Sequence, residues 1–171
     1  MSVRASFSAV KTAEDQRDLA GLAEGIWQEY WPALIGSEQT DYMVEHFQSL
    51  AAIRRDMAEH GYEYWFVCAP DGRRVGYTGG REEPETGRFF ISKIYLLKDE
   101  RGHGFARAAI SFYEELCRSR GLRAMYLTVN KHNELGIRAY IGTGFATVDA
   151  VETPIGGGFV MDDYIMEKPV S

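Results

Sequence analysis

The stretch KDERGHGFARAAI, residues 98–110, decides how this chain is interpreted. Gly102 and Gly104 stand two residues apart, directly before apolar residues spaced as on one face of a helix over about residues 103–120. A helix begins with unpaired N–H groups and a partial positive charge, and glycine lets the preceding backbone turn with positive φ and lets a ligand come close. With Arg101 as a further donor, the stretch predicts a loop that binds phosphate or pyrophosphate. The alternative is a tight strand-to-helix turn without a ligand.

Two familiar nucleotide-binding motifs do not fit this glycine spacing. No Gly-Lys-Ser/Thr follows the glycines, as a P-loop would require. Arg107 stands where the dinucleotide fingerprint GxGxxG needs its third glycine. The loop therefore belongs to neither class.

The segments on both sides of the loop predict a mixture of strands and helices. In chain order, the predicted elements are strand 3–10, a helix from 12 or 13 to about 32, a helical region 35–61 with a break near 48–49, strands 62–69, 73–80 and 88–97, helix 103–120, strand 123–129, helix 133–144 and a closing hairpin 145–168. This order predicts an α+β (mixed α/β) fold whose mixed, mostly antiparallel sheet is flanked by about four helices. The β-α-β unit around the glycines should supply a parallel pair of strands.

Length, composition and charge exclude several classes of protein. The 171 residues favour one domain, residues 1–171, and 45% hydrophobic residues with ten Tyr, nine Phe and three Trp argue against disorder. A net charge of −6 argues against a nucleic-acid partner. We see no secretory signal, and no apolar run reaches the ~20 residues of a membrane helix, so we expect a cytoplasmic protein that does not contact a membrane.

The cysteines and histidines lack the spacing of a metal or redox site. Cys68 and Cys117 are expected to be buried apolar residues. The histidines are scattered along the chain: His46, His60, His103 and His132. We therefore predict no metal.

Two blocks of the sequence together resemble the signature of the GNAT superfamily of N-acetyltransferases. Arg101-x-x-Gly104-x-Ala106 matches the family loop of Arg or Gln, two residues, Gly, one residue, and Gly or Ala. One helix and one strand later, as in the family, comes the second block, residues 129–145. Its matching positions are Asn133, Ile137, Tyr140, Gly144 and Phe145. Gly136 departs from the usual Ala of the family.

The resemblance implies the GNAT fold, with a sheet splayed at the acetyl-CoA site, and an enzyme that moves an acetyl group to a primary amine by direct attack. In the family the loop amides bind the pyrophosphate, a bulged strand contacts the pantetheine arm, and the Asn lies near the thiol. The implied cofactor-binding residues are Tyr95, Leu96, Leu97, Arg101, Gly102, His103, Gly104, Phe105, Ala106, Asn133 and Tyr140. Tyr140 would also be the general acid, since a phenol pKa of about 10 suits a thiol pKa of about 8.5. Many relatives are homodimers, so we expect one here.

The general base is left open by the sequence. An alkylamine has a pKa of about 10.4 and must lose a proton before it attacks. Many family members use a Glu on the strand before the loop, but here RFFISKIYLL holds no carboxylate and has Ser92 and Lys93 in that region. The proton could leave through ordered water or to a carboxylate from elsewhere; otherwise these carboxylates are surface charge. The candidates are Glu24, Glu29, Asp162 and Asp163.

The acceptor is a small-molecule amine if the resemblance holds. With the stretches IWQEYW (26–31), DYMVEHFQS (41–49), SKIYLLKDERGHG (92–104) and MDDYIMEK (161–168), the whole chain resembles the bacterial spermidine and diamine acetyltransferases. This resemblance implies a polyamine such as spermidine. Ion pairs and cation–π contacts would bind it if the first helices wall the acceptor cleft; otherwise the aromatic residues are core. The residues concerned are Trp27, Glu29, Tyr30 and Trp31. The alternatives are an antibiotic amine, an amino acid, a protein N-terminus, and a non-catalytic acyl-CoA-binding module on the same fold.

Overall fold

The computed structural model describes residues 4–170 and is organised around a seven-stranded sheet. In chain order, its strands and α-helices are β1 (Ser6–Ala9), α1 (Ala13–Tyr30), α2 (Pro32–Ile35), α3 (Ser37–Met43), α4 (Leu50–Glu59), β2 (Glu63–Cys68), β3 (Arg74–Glu83), β4 (Arg88–Leu96), α5 (Phe105–Ser119), β5 (Ala124–Asn130), α6 (Glu134–Gly142), β6 (Ala146–Gly156) and β7 (Phe159–Pro169). The sheet order is β1-β2-β3-β4-β5-β7-β6. Only β4 and β5 pair in parallel among these strands. The predicted α+β class and the parallel pair are both confirmed.

The helical part of the chain is more divided than the sequence indicated. Pro32 begins α2, and Gly36 ends it with a φ of 86°. A π-helical turn, Val44–Gln48, follows α3, and Ser49 caps α4 by accepting the N–H of Ala52 at 3.2 Å. The predicted break near residues 48–49 is confirmed, whereas about four helices was an undercount. Residue 3 of the first predicted strand lies outside the described residues.

Helix α1 is fixed at its start and packs along one face of the sheet. Thr12 caps it by accepting the N–H of Asp15 at 3.0 Å, and the Asp15 carboxylate accepts the N–H of Thr12 in return. Leu19, Ala23 and Ile26 are buried in one apolar cluster with side chains of β2 and β3. This packing carries the C-terminal end of α1 toward the end of β4. No helix in the described range, 4–170, is long and apolar enough to span a membrane.

Helix α5 packs on a second apolar cluster of the sheet, and its central residues are almost fully buried. Ile110 and Tyr113 pack with Phe89 of β4 and Met125 of β5. The Tyr113 hydroxyl shares a 2.7 Å hydrogen bond with the Thr78 hydroxyl, so its polar end is satisfied inside the core. Cys68 and Cys117 are free and buried, as predicted.

Strands β4 and β5 separate after four residue pairs, and this creates the site. Their pairing runs only from residues 88–91 of β4 to 124–127 of β5. The β3–β4 register shifts between Gly79 and Gly80, which pair with Lys93 and Ile91, so Ser92 is the extra residue of a bulge. Beyond the bulge, the edges of β4 and β5 that face each other have no partner strand among residues 4–170.

Gly80 permits the close approach of β3 and β4 opposite the bulge. A Cβ atom on Gly80 would lie 2.0 Å from the carbonyl oxygen of Phe90, a backbone atom that cannot simply rotate away. We predict that Gly80→Ala lowers the free energy of unfolding by about 1–3 kcal/mol because the strands must move apart. Urea denaturation followed by circular dichroism measures this change.

Gly25→Ala is the matched control for that substitution. Gly25 lies on the exposed side of α1, and an added Cβ would meet nothing within 4 Å. Within a helix, alanine is more stable than glycine by about 1 kcal/mol, so this variant should be more stable than the parent. Equal stability of the two variants would contradict the packing described for Gly80.

Candidate active site

A cleft of about 390 Å³ opens where β4 and β5 part. Its size lies in the range of small-molecule sites, about 300–1,000 Å³. Its walls come from the C-terminal halves of β4 and β5, the start of α5, α6, β7, and the segment from the end of α1 to α3. Thirteen residues singled out from the sequence line it: Trp27, Tyr30, Trp31, Tyr95, Leu96, Arg101, Gly102, Gly104, Phe105, Ala106, Asn133, Tyr140 and Asp163.

Five candidate residues from the sequence lie outside the cleft wall: Glu24, Glu29, Leu97, His103 and Asp162. The Leu97 N–H donates to the carbonyl of Val75 at 2.9 Å, which ties this residue to β3. His103 is exposed at the tip of the loop. Glu29 accepts the N–H of Lys98 at 3.1 Å. Asp162 forms an ion pair of 2.7 Å with Lys131.

The glycine-rich loop has the geometry of an anion-binding helix start. Gly102 and Gly104 have φ values of 79° and 89°, which strain any residue with a Cβ. Gly104 is the N-cap of α5 and, having no side chain, leaves the amides of the first turn without a side-chain acceptor. These N–H groups and the helix dipole suit the pyrophosphate predicted for this loop.

Arg101 is held between the loop and α1. Its guanidinium carbon lies 4.2 Å from the centre of the Tyr30 ring, and its Nε–H donates to the carbonyl of Leu96 at 3.3 Å. Arg107, one turn into α5, lines the same cleft as a second cation. Sequence reasoning considered Arg107 only as a missing glycine and overlooked it as a charge beside the loop.

The bulge in β4 directs consecutive side chains to different places. Ser92 lines the cleft, and its hydroxyl accepts a hydrogen bond from Tyr62 at 3.2 Å. Lys93 points into the interior, where its Nζ donates to the carbonyl of Phe47 at 2.7 Å and to the Tyr64 hydroxyl at 2.9 Å. Burial lowers the pKa of Lys93 to about 7. Strand β4 therefore supplies no carboxylate to the cleft, as its sequence predicted.

Asn133 joins α6 to α1 through one atom. Its Oδ1 accepts the N–H of Gly136 at 3.0 Å and the hydroxyl of Tyr30 at 3.1 Å. A Cβ on Gly136 would lie 2.6 Å from Asn133 Nδ2, so glycine gives room for this cap. The departure from the family's usual Ala thus has a local steric reason.

Tyr140 presents an unpaired phenol to the cleft. Its ring packs edge-on against Phe145 at a centroid distance of 5.7 Å. We find no hydrogen bond to its hydroxyl within residues 4–170. Burial raises the pKa of Tyr140 to about 12, so the phenol stays protonated throughout the physiological pH range.

Asp163 is the one member of the four candidate carboxylates that lines the cleft. It is 5% exposed, and its carboxylate accepts no hydrogen bond from the part of the chain that the structure describes. Burial, followed by the charge of Asp162, raises the pKa of Asp163 to about 6, against a smaller opposing effect of Lys131. Glu24 is exposed on α1 and does not reach the cleft wall.

Four aromatic rings form the wall opposite α6. Trp27 and Trp31 stack at 5.0 Å, and Trp27 meets Tyr95 edge-on at 5.1 Å. Tyr30 packs edge-on against Trp31 at 5.2 Å. Trp27 and Trp31 are almost fully buried, as the core interpretation expects, while their role in binding an acceptor stays a prediction. The rings belong to the core and also border the cleft.

The described residues, 4–170, hold no group of three His, Cys, Asp or Glu side chains arranged to bind a metal ion. Taken together, the open strand edges, the anion-binding helix start, the free phenol and the lone carboxylate define a transferase-type site. It suits a long ligand with phosphate at one end and a reacting group at the other.

The sequence pattern of the Acetyltransferase (GNAT) family matches residues 23–145, and the chain belongs to this family of acyltransferase enzymes. A curated relative is the uncharacterized N-acetyltransferase YycN of Bacillus subtilis (strain 168), 34% identical over 92 residues, which are 53% of this chain and 59% of that protein. The chain thus spans less than two thirds of that relative.

Two solved structures share the fold over almost the full chain. PaiA N-acetyltransferase from Thermoplasma acidophilum, in complex with coenzyme A, has a TM-score of 0.76 at 18% identity and covers 99% of both chains. Spermidine/spermine N-acetyltransferase SpeG from Vibrio cholerae has a TM-score of 0.66 at 17% identity, over 97% of this chain and 92% of its own. At these identities the likeness establishes the fold alone.

Replacing Asn133 tests the junction of α1 and α6. We predict that Asn133→Ala lowers the free energy of unfolding by about 1–2 kcal/mol, because it removes a helix cap and the partner of the Tyr30 hydroxyl. Asn133→Asp keeps an acceptor oxygen and should retain stability. Thermal unfolding of the two variants measures the difference, and an equal loss in both would show that the Oδ1 contacts do not stabilise the fold.

Proposed function

We propose that this protein transfers the acetyl group of acetyl-CoA to the nitrogen of a primary amine by direct attack. The observation that carries the proposal is the presence of Tyr140, a hydrogen-bond donor, and Asp163, a proton acceptor, on the wall of one cleft between separated strands. Neither side chain has a hydrogen-bond partner within residues 4–170, so both are available to a bound ligand.

The residues around the cleft fit acetyl-CoA along its length. The amides of Phe105 and Ala106 and the cations Arg101 and Arg107 would bind the pyrophosphate. The unpaired edges of β4 and β5 would hydrogen-bond the pantetheine amides as an added strand does. Asn133 keeps its Nδ2 as a donor near the reacting end, because its two protein contacts use Oδ1.

Acetyl-CoA supplies the acetyl group, so that a nitrogen–carbon bond forms as the carbon–sulfur bond breaks. Asp163 accepts the proton that the amine must lose; this transfer is uphill from an ammonium of pKa about 10.4, and the attack on the acetyl group that follows draws it forward. Its carboxylate predominates above about pH 6, so it is ready as a base at neutral pH. A carboxylate from β7 thereby takes the place of the one that β4 lacks.

Tyr140 stabilises the departing sulfur. Because burial raises the pKa of Tyr140 to about 12, transfer of its proton to a thiolate of pKa about 8.5 is uphill. Tyr140 therefore acts first as a hydrogen-bond donor to the developing negative charge. This refines the simpler role of acid that the unperturbed phenol suggested.

Release of free thiol from acetyl-CoA, with and without a panel of primary amines, tests the proposal. Amine-dependent release and the matching N-acetylated product support it. Acetyl-CoA binding without release for any amine would instead favour the non-catalytic acyl-CoA-binding module. Spermidine belongs in the panel because the polyamine acceptor implied by the sequence stays a prediction.

We predict that Tyr140→Phe lowers kcat by about 100-fold while the affinity for coenzyme A stays close to that of the parent, since only the donor to the sulfur is lost. Steady-state kinetics and calorimetric titration with coenzyme A measure the two quantities. Tyr164→Phe, a half-buried tyrosine on β7 outside the cleft wall, is the control and should keep full activity. Full turnover of Tyr140→Phe would remove the assigned role.

The pH dependence of kcat/KM tests Asp163. A protonated carboxyl cannot accept the amine proton, so kcat/KM should rise about tenfold per pH unit below about pH 6 and level off above it. In Asp163→Asn, this rise of kcat/KM with pH should disappear. The rate should also fall at least 100-fold, in line with the typical ~10²–10⁴ contribution of a general base. If Asp163→Asn kept the parent rate and the same rise of kcat/KM with pH, Asp163 would be excluded as the base.

Asp162→Asn is the matched control for the pH profile. It removes the neighbouring negative charge that helps to raise the pKa of Asp163, while leaving the carboxyl in the cleft unchanged. The rise of kcat/KM with pH should persist and move to lower pH.

A further inference from the structure

We infer that the acceptor is a primary amine with one positive charge and an apolar, preferably aromatic, body rather than a polyamine. This inference rests on the proposed function and concerns the acceptor part of the same cleft. Three observations carry it. The cleft wall holds only one negative side chain among the described residues, the surface around Asp163 is mainly apolar, and Arg101 already occupies the face of the Tyr30 ring.

The cleft wall offers a single negative side chain. The chain contains 25 Asp and Glu residues, yet among those in residues 4–170 only Asp163 lines the cleft. The other two charged wall residues, Arg101 and Arg107, are cations. One ammonium group can pair with Asp163, but a second or third would be desolvated without a counterion, which is strongly unfavourable.

The nearby carboxylates are engaged elsewhere. Glu29 accepts the N–H of Lys98 and is exposed outside the wall. Asp162 is paired with Lys131 at 2.7 Å, so its charge is already balanced. Extra ammonium groups of a polyamine therefore have no acidic site to reach within the acceptor part of the cleft.

The acceptor wall is otherwise mainly apolar, although uncharged polar side chains such as Gln39 and Ser92 also line it. Trp31 and Tyr95 contribute rings, and the ends of α1, α2, α3 and the start of β7 add aliphatic and thioether side chains. These are Ile26, Ile35, Met43 and Met161. An alkyl or aromatic body buried against this surface is favoured by the hydrophobic effect and by ring stacking.

Cation–π contacts do not replace the missing carboxylates. Arg101 already lies 4.2 Å from the centre of the Tyr30 ring. A ligand ammonium at this ring would meet the like charge of the guanidinium. The indole N–H of Trp27 donates to the Tyr77 hydroxyl at 3.0 Å, which holds that ring in its packed position. Cation–π attraction is also weaker than the loss of water around an unpaired ammonium.

Butylamine and putrescine (1,4-diaminobutane) form a substrate pair that isolates this effect. They have the same carbon chain and differ by one ammonium group. We expect kcat/KM for butylamine to exceed that for putrescine by at least tenfold, and 2-phenylethylamine to exceed butylamine. Equal or higher kcat/KM for putrescine or spermidine would overturn the inference while leaving the proposed acetyl transfer intact.

Gln39→Glu adds a second carboxylate to the wall almost without a change of shape. Gln39 is half-buried, lines the cleft, and donates through Nε2 to the carbonyl of Val160 at 3.1 Å. The putrescine-to-butylamine ratio of kcat/KM should rise by about fivefold, the effect of one partly exposed ion pair. Gln16→Glu, half-buried on α1 beside Arg54 and away from the cleft, adds the same charge and should leave the ratio unchanged. A ratio unaltered by Gln39→Glu would count against the charge argument.

Binding can be followed separately from turnover. Tryptophan fluorescence contains the emission of Trp27 and Trp31 at the cleft and of Trp65 in the core, so a ligand at the cleft should change the first two contributions. Titration of the coenzyme A-loaded protein should show saturable binding of 2-phenylethylamine at concentrations where spermidine has no effect. If no amine releases thiol, the proposed function fails, and this titration still decides the ligand class. Saturable binding of spermidine but not of 2-phenylethylamine would overturn the inference.

Discussion

The parting of β4 and β5 after Ile91 and Leu127 is the constraint on which the rest of the site depends. Two parallel strands that stayed paired would leave neither a cleft nor free backbone groups for an extended ligand. The bulge at Ser92, opposite the close contact of Gly80, changes the direction of β4 at the point of separation. The loop and α5 then begin at the open end, so the positive end of the helix faces the gap.

The sequence predicted the backbone geometry of the glycine-rich loop, but not which of the candidate carboxylates lines the cleft. Positive φ at Gly102 and Gly104 can be predicted from the residue type, because only glycine adopts this conformation without strain. A short sequence motif is therefore enough to indicate it. The distinction between Asp162 and Asp163 could not be read in this way. Adjacent residues on a strand face opposite sides, and which side meets the cleft depends on the pairing of β7 with β5.

Tertiary packing, which local sequence does not show, also explains why the π-helical turn after α3 and the burial of Lys93 were not predicted. A proline such as Pro32 indicates the end of a helix from sequence alone. The π-helical turn at 44–48 instead lies where Lys93 of β4 donates to the Phe47 carbonyl, a tertiary contact that local sequence does not indicate. A lysine in a strand looks like a surface residue by composition alone. Its burial follows from the shift of alternation at the bulge, which no local pattern reveals.

Tyr30 connects three parts of the molecule. It belongs to α1, its ring lies against Arg101 of the loop, and its hydroxyl meets Asn133 at the start of α6. Ile35, half-buried on the same wall, has no described contact with Arg101 or Asn133. In a protein with the proposed function, the acceptor wall could therefore change at Ile35 during evolution without altering the phosphate end, whereas a change at Tyr30 would alter both ends of the cleft together.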